Sequence, residues 1–555
     1  MMGLGNVDIF CYDSLHCASL TIWFIFHMAT CLHQLLFDNL NAAADSDAIV
    51  HKDSRISFRQ LSELVALQAK ALQSLDLKRQ QRVAIYLPKQ IETVSSFLAV
   101  SLAGGVFVPV NPVLKAPQVS HILNDCNVKI LITSKSRLHS LQTVLHECTD
   151  LHTIILVDHD AGDVKLPSWQ IIDWQTYNRL ADSYPHHPVT MIDTDMAAIL
   201  YTSGSTGKPK GVVLSHRNIV AGAQSVAEYL QIQADDRLLA VLPFSFDYGL
   251  NQLTTSLLKG ASCVLLDYLL PKDVINALGK YQITGLAAVP PLWAQLADLN
   301  WPESIDQHLR YMTNSGGKMP KTVLQKLRSK APNSKFFLMY GLTEAFRSTY
   351  LPPEQIDIRP DSMGKAIPNA EIMVVREDGS LCAPHEPGEL VHRGSLVSLG
   401  YWNDPAKTAE RFKPAPGQLS GLPLTEIAVW SGDTVTMDED GFLYFVGRKD
   451  DMIKTSGYRV SPSEIEEVIY ASGLVKEAAA IGIEHPNLGQ AVVVVVSPQP
   501  DMQFDPQQLI DCCKTQLPNF MVPARIEELS SLPRNPNGKI DRKMLSQQFA
   551  HLFQP

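Results

Sequence analysis

Positive charge is in short supply in this chain. There are 47 Lys and Arg against 57 Asp and Glu in 555 residues, for a formal net charge of −10. That deficit argues against a broad basic face for nucleic acid, so a nucleotide ligand needs a local cluster of cations. Cysteine is sparse and unpatterned. The nine cysteines include no CxxC pair and no His at zinc-ligand spacing, which excludes a zinc framework and fits a reduced, cytosolic (cytoplasmic) setting. Long apolar runs are missing as well. The stretch "CASLTIWFIFH" (Cys17–His27) is shorter than the roughly 20 residues that span a bilayer. Lys and Arg are absent before Lys52, so the start lacks the positive region of a signal peptide. Stable membrane insertion is therefore not expected. Residues 1–27 read as a mis-called upstream extension or a poorly ordered tail, followed by a helix in "HQLLFDNLNAA".

What is present is an ordinary globular composition, 45% hydrophobic and 19% charged. The length calls for more than one core. Apolar strands alternate with helical segments up to about residue 440: "RVAIYLP" (Arg82–Pro88), "VFVPVNP" (Val106–Pro112), "VKILITS" (Val128–Ser134), "SCVLLD" (Ser262–Asp267), "GLAAVP" (Gly285–Pro290) and "KFFLMYG" (Lys335–Gly341). This pattern predicts a parallel α/β core. Short alternating strands after Asn369 predict an appended β-rich subdomain. A charged, Gly-bounded segment, "GRKDDMIKTSG" (Gly447–Gly457), precedes about 100 residues of mixed α+β character. The expected organisation is an α/β fold: a large N-terminal domain over 28–447 with parallel α/β and β-rich subdomains, then a small mobile α+β domain over 448–555.

One stretch carries chemistry on its face: "YTSGSTGKPKGVVLSH" (Tyr201–His216). It is not a Walker A loop, because position 202 is Thr and Lys208 precedes Pro209. It is not GxGxxG either. Gly204, Gly207 and Gly211 nevertheless let backbone N–H groups turn inward. Thr202, Ser203, Ser205 and Thr206 add hydroxyls, and Lys208 and Lys210 add charge. The composition suits a polyphosphate better than an idle Ser/Gly surface loop.

This loop resembles the signature of the adenylate-forming enzymes, which comprise acyl-CoA ligases, amino-acid adenylation domains and luciferases. Further motifs follow in order: "YGLTEA" (Tyr340–Ala345), "SGDT" (Ser431–Thr434), "GRKDDMIKTSGYRVSPSEIEE" (Gly447–Glu467) and "NPNGKIDRK" (Asn535–Lys543). The resemblance runs from about residue 28 to about 545. In "LPFSFDYGLNQLTT", "TNSGGKMP" and "YGLTEAFRSTYLPPE" the chain is most similar to AMP-forming acyl-CoA ligases that accompany exosortase systems in bacteria.

The resemblance implies a reaction in two halves. A carboxylic acid attacks the α-phosphate of ATP–Mg2+ to give acyl-AMP and pyrophosphate, and the thiol of CoA then displaces AMP. It assigns Thr202–Lys208 and Lys210 to the phosphates, and Thr343 and Glu344 to phosphate and Mg2+. Tyr340, Gly316 and Gly317 fall to the adenine slot, Asp433 and Arg448 to the ribose and phosphates. Lys539 is the lysine of the adenylation half, and Asp450 is the hinge on which the small domain turns. The acid pocket falls to Phe246, Asp247, Gly316 and Gly341. In that pocket the chain departs from many acyl-CoA ligases, which carry Phe-His where it has Phe246-Asp247. The dipeptide is more like that of amino-acid adenylation domains, where the Asp holds the substrate's α-ammonium. A buried Asp needs a cation, so an amino-acid substrate is one reading. The other is that Asp247 caps the helix that follows. Two further alternatives stay open: loading of an amino acid or acyl group onto the phosphopantetheine of an acyl carrier protein, and a catalytically silent nucleotide-binding scaffold. The lysine assignment predicts that Lys539→Ala abolishes adenylate formation but spares thiol transfer from preformed acyl-AMP. Equal loss of both halves in separate assays contradicts it.

Overall fold

The structure is a computed structural model that describes residues 29–158, 166–185, 187–202, 209–418, 421–448, 453–455, 458–460, 462–485, 488–499, 505–517 and 519–553. Residues 1–27, the hinge position Asp450 and most of the Ser/Gly loop lie outside them. The segment read as one helix at "HQLLFDNLNAA" forms two short helices, Gln34–Phe37 and Leu40–Ala43. Asp38 and Asn39 separate them, two residues that favour turns over helix interiors.

Among the described residues, three sheets organise the chain. The first has seven strands and centres on Arg82–Tyr86, flanked by Val106–Pro109 and Val128–Thr133, all parallel. Met196–Thr202 joins its edge in parallel, and Lys210–Ser215 folds back on it antiparallel. Residues of these inner strands are buried on both faces, which is why they read as unbroken apolar runs rather than alternating ones. The second sheet starts as a parallel array through Arg237–Ala240, Gly285–Ala288, Tyr311–Asn314 and Lys335–Tyr340. It then continues antiparallel through Thr349–Leu351 and Ser362–Ala366 into Leu443–Arg448, Ile427–Met437 and Gly388–Gly394. The β-rich region is thus hydrogen-bonded into the core sheet.

The two large sheets share one interior. Helix Ile91–Leu102 is buried along most of its length. Its Phe97 stacks on Phe107 of the first sheet at 4.7 Å and meets Phe244, beside the second, edge-on at 6.0 Å. Burying a ring of this size stabilises by about 2–3 kcal/mol, so the aromatic chain ties the layers together. Helix Asp247–Lys259 has nearly every residue buried and ends at Gly260 in the left-handed region (φ 69°). A methyl at Gly249 would lie 2.1 Å from the carbonyl oxygen of Pro243, so glycine is needed for this helix to start where it does.

The third sheet, of five strands among the described residues, begins at Ile453. Helix Pro462–Ala471 covers it, and Arg542 donates to both carboxylate oxygens of Glu466 at 2.8 Å or less. This part touches the larger one at named points. Lys318 pairs with Glu467 at 2.9 Å, and the Asn111 amide donates to the Pro536 carbonyl at 3.4 Å. Among the described residues no helix is long and apolar enough to cross a membrane.

Three histidines are held neutral in the interior. Burial lowers His33 and His216 to about 4 and His392 to about 3. In the unfolded chain they titrate near 6.5. Below that pH the unfolded state takes up the extra protons, so their contribution is complete above about 6.5 and is lost as pH falls toward 4. Each adds up to about 1.4 kcal/mol per pH unit to the slope. Urea unfolding between pH 7 and pH 5 should therefore show steeply falling stability, and His392→Asn should flatten the slope by roughly one proton.

Candidate active site

The parallel strands of the second sheet deliver their carboxyl ends to one place, the usual position for ligands in open α/β sheets. Tyr311–Asn314 leads into Ser315, Gly316 and Gly317, and Lys335–Tyr340 leads into Gly341, Leu342, Thr343 and Glu344. The amino end of helix Asp247–Lys259 faces the second of these turns, because its first residue bonds directly to Thr343.

Asp247 is 2% exposed. Its Oδ1 accepts from Thr343 Oγ1 at 3.2 Å, and its Oδ2 accepts from Arg347 Nη1 at 3.1 Å. It does not cap its helix. The N-cap position belongs to Phe246, and no side chain caps there. The capping reading is thereby corrected: the carboxylate turns away from the helix backbone toward a guanidinium. Burial pushes the Asp247 carboxyl up, opposed by Arg347, Thr343 and Lys539. The cation that a buried Asp requires comes from the chain itself.

Arg347 was not singled out in the sequence, where it follows "YGLTEAF" as an unremarked basic residue. It is 1% exposed, and its guanidinium lies 4.5 Å from the centre of the Tyr248 ring. Among the described residues, its Nε and Nη2 are buried without a hydrogen-bond partner. The backbone before it is strained. Phe346 has φ 55° and ψ −52°, and Arg347 N–H donates to the Ala345 carbonyl at 2.5 Å, which closes a three-residue γ-turn. Strain of this kind costs on the order of 1–3 kcal/mol and needs surrounding structure to hold it. The Phe346 ring supplies that hold by filling a notch over Gly222, where a methyl would come within 2.3 Å of the ring.

Glu344 is engaged by a second residue that the sequence did not flag. Tyr401 Oη donates to Glu344 Oε1 at 2.6 Å. Lys210 Nζ donates to the same hydroxyl at 3.4 Å and lies 4.4 Å from the Tyr401 ring centre. Burial lowers the Lys210 ammonium, with Glu344 acting against the shift. Trp402 N–H donates to the Gly211 carbonyl at 2.8 Å, which ties "GYW" (Gly400–Trp402) to the strand leaving the Ser/Gly loop. Nothing in the local pattern of "GYW" distinguishes it from a core aromatic pair.

The remaining expected residues fall as follows. Tyr340 Oη donates to Asp433 Oδ2 at 2.5 Å. Arg448 stands opposite Asp433 in the register of neighbouring strands. Gly316 is in the left-handed region (φ 81°), and a methyl there would approach Phe246 at 3.8 Å and Lys539 Cε at 4.0 Å. A methyl at Gly317 would touch Pro290 at 3.2 Å, and one at Gly341 would touch Arg347 at 3.3 Å. Lys539 arrives on a tight turn. The Asn535 side-chain oxygen accepts from the backbone of Asn537 and Lys539, and Gly538 takes φ 77°. Thr202 ends its strand with its hydroxyl buried and, among the described residues, without a partner. Ser203, Gly204, Ser205, Thr206, Gly207 and Lys208 lie outside the described residues.

The structure therefore gathers Phe246, Asp247, Gly316, Gly341, Thr343, Arg347 and Lys539 into one neighbourhood. It sets Lys210, Tyr401 and Glu344 in a second, and Tyr340 with Asp433 in a third. Each of the first two neighbourhoods holds a lysine near a carboxylate, Lys539 by Asp247 and Lys210 by Glu344, and such cations suit an anion that gathers negative charge as it reacts.

Comparison with known proteins gives a consistent result. Residues 36–402 match the AMP-binding enzyme family, and residues 464–539 match the AMP-binding enzyme C-terminal domain. The chain is 30% identical over 529 residues to the long-chain-fatty-acid–CoA ligase of Escherichia coli O157:H7, covering 90% of this chain and 91% of that protein. It is also 30% identical over 524 residues to tyrocidine synthase 1 of Brevibacillus parabrevis, covering 93% of this chain but spanning only 44% of the synthase. The fold matches ATP-bound MatB from Rhodopseudomonas palustris with a TM-score of 0.83 and 24% identity, over 95% of this chain and all of that one.

A buried ion pair makes an asymmetric prediction. Arg347→Met leaves Asp247 uncompensated and should cost about 3–5 kcal/mol, whereas Asp247→Asn combined with Arg347→Met should recover most of the loss. Urea unfolding of the wild type, both single variants and the pair reads this out. Additive losses contradict the pairing.

Proposed function

This chain belongs to the AMP-binding enzyme family and is an adenylate-forming enzyme of the acyl-CoA synthetase type, and we propose that it activates a carboxylic acid without an α-ammonium group and transfers it to CoA. The observation that carries the substrate class is the Asp247–Arg347 pair. A substrate ammonium gains from a carboxylate only when that carboxylate is unpaired. Here it already faces a guanidinium at 3.1 Å, and a second cation brought alongside would be repelled in a low-dielectric setting. The reading of an amino-acid substrate loses its basis, since the cation it supplied is already in place.

CoA as the acceptor is supported by the match to a long-chain-fatty-acid–CoA ligase over 91% of that protein.

In this reading, Lys539 holds the substrate carboxylate against the α-phosphate and offsets the charge that builds there. Thr343 orients the same phosphate while its hydroxyl stays anchored on Asp247. Tyr340 and Asp433 receive adenine and ribose, with Arg448 beside them. The loop from Thr202 to Lys210 holds the phosphates that leave. Glu344 is the residue to hold Mg2+. Among the described residues no cluster of three or more His, Cys, Asp or Glu could cage a metal. A single carboxylate suits an ion whose other ligands are phosphates and water, which would neutralise the triphosphate. Tyr401 donates to Glu344 Oε1 and so restrains the carboxylate that would hold the ion. For the thiol step, the domain from about residue 448 turns at Asp450 and withdraws Lys539.

ATP–pyrophosphate exchange with matched acids and their α-amino counterparts tests the proposal. Exchange should be at least about tenfold faster with the acids that lack the amino group, and product formation should require CoA. Faster exchange with the amino acids overturns it.

A further inference from the structure

Buried polar groups in folded proteins are almost always hydrogen-bonded, and the exceptions call for an explanation. Among the described residues, eight buried side chains leave one polar atom each without a partner, and two leave two. Those two are Arg347, with Nε and Nη2, and Asn251, with Nδ2 and Oδ1. Both are 1% exposed.

They are neighbours of the same carboxylate. Arg347 is paired with Asp247. Asn251 lies four residues beyond Asp247 on helix Asp247–Lys259, so it stands one turn along on the same face. Arg347 spends Nη1 on Asp247 and keeps its Nε–Nη2 edge, two N–H groups in one plane, unspent. Leaving such donors buried and unmet costs about 1–3 kcal/mol each. An apolar acid pocket gains nothing from them. A pocket that reads an oxygen atom does.

We propose that Arg347 and Asn251 form a specificity subsite for a hydroxyl or carbonyl oxygen on the acid, beyond its reacting carboxylate. This rests on the proposed function, since it assumes that the acid enters beside Asp247. The charge balance selects a neutral oxygen. Arg347 and Asp247 already compensate one another, so a second carboxylate would place an unpaired negative charge beside Asp247. The donor count agrees. The unmet atoms of the two side chains are three nitrogens and one acceptor oxygen, which calls for a group that mainly accepts, and a hydroxyl can also donate to Asn251 Oδ1. The substrate class is therefore a hydroxy or oxo acid rather than a plain fatty acid.

The test uses the full-length enzyme and a length series of straight-chain acids, each with its hydroxy, oxo and dicarboxylic counterpart. The readout is kcat/KM for ATP–pyrophosphate exchange. The best hydroxy or oxo acid should exceed its unsubstituted partner by at least about tenfold, because a site with unmet donors rejects the analogue that cannot meet them. Arg347→Met and Asn251→Leu should each pull that ratio toward about one. Asn251→Leu keeps the ion pair and so remains informative if the arginine variant is poorly folded. Equal rates for plain and oxygenated acids, or a ratio that survives Asn251→Leu, overturn the subsite while leaving the proposed function standing. Preference for the dicarboxylates overturns the neutral-oxygen assignment. Exchange with none of the acids, in enzyme shown to bind ATP by calorimetry, overturns the proposed function and the subsite together.

Discussion

A carboxylate with 2% exposure has to be answered by a cation, and in this molecule the answer organises the site. Asp247 opens a buried helix, and Arg347 reaches it from the far side of the turn that follows a central strand. Taking either ion out of water costs several kcal/mol after relaxation, and only close geometry with further hydrogen bonds returns that cost. The further bonds come from Thr343 and from the face of Tyr248. Arg347 can arrive only because Phe346 accepts a left-handed backbone, and Phe346 accepts it because its ring is seated over Gly222. A chain of dependence thus runs from one missing side chain in a helix to the charge state of the pocket.

The same economy governs the other side of the centre. Glu344, Tyr401 and Lys210 form a hydrogen-bonded row that joins the turn after the central strand to the strand leaving the Ser/Gly loop. Each member is partly desolvated, so each interaction is stronger than it would be in water. Tyr340 and Asp433 make a comparable pair between the core sheet and its antiparallel extension. Because the extension is continuous with the core sheet, the residues of "SGDT" are held to those of "YGLTEA" by strand register.

Much of this was legible in the sequence, for identifiable reasons. Strands buried on both faces are continuous apolar runs, so Arg82–Tyr86, Val128–Thr133 and Lys335–Tyr340 could be read directly. Lys539, Glu344 and Asp433 could be named from motifs, and the structure sets them beside Asp247, Tyr401 and Tyr340 respectively. What escaped were residues defined by long-range pairing. Tyr401 is 57 positions from Glu344, and Arg347 is 100 positions from Asp247. Neither has a periodicity or a spacing that marks it. Bonding of the β-rich region to the core was hidden likewise, because the linking strands Thr349–Leu351 and Ser362–Ala366 are short.

Asp247 shows most plainly how local reasoning went astray. Both readings of it began from a solitary carboxylate and asked what local partner it lacked, a helix N–H or a substrate ammonium. Solvation physics sets a broader condition: the buried charge must be met from somewhere in the fold, at any distance in sequence. Once Arg347 meets it, the residue stops being a probe of the substrate's amino group and becomes the anchor of a guanidinium with an edge to spare. Under the proposed function, specificity moves off the aspartate to the side chains that surround it. A Phe-Asp dipeptide therefore carries no substrate information until the partner of the aspartate is known.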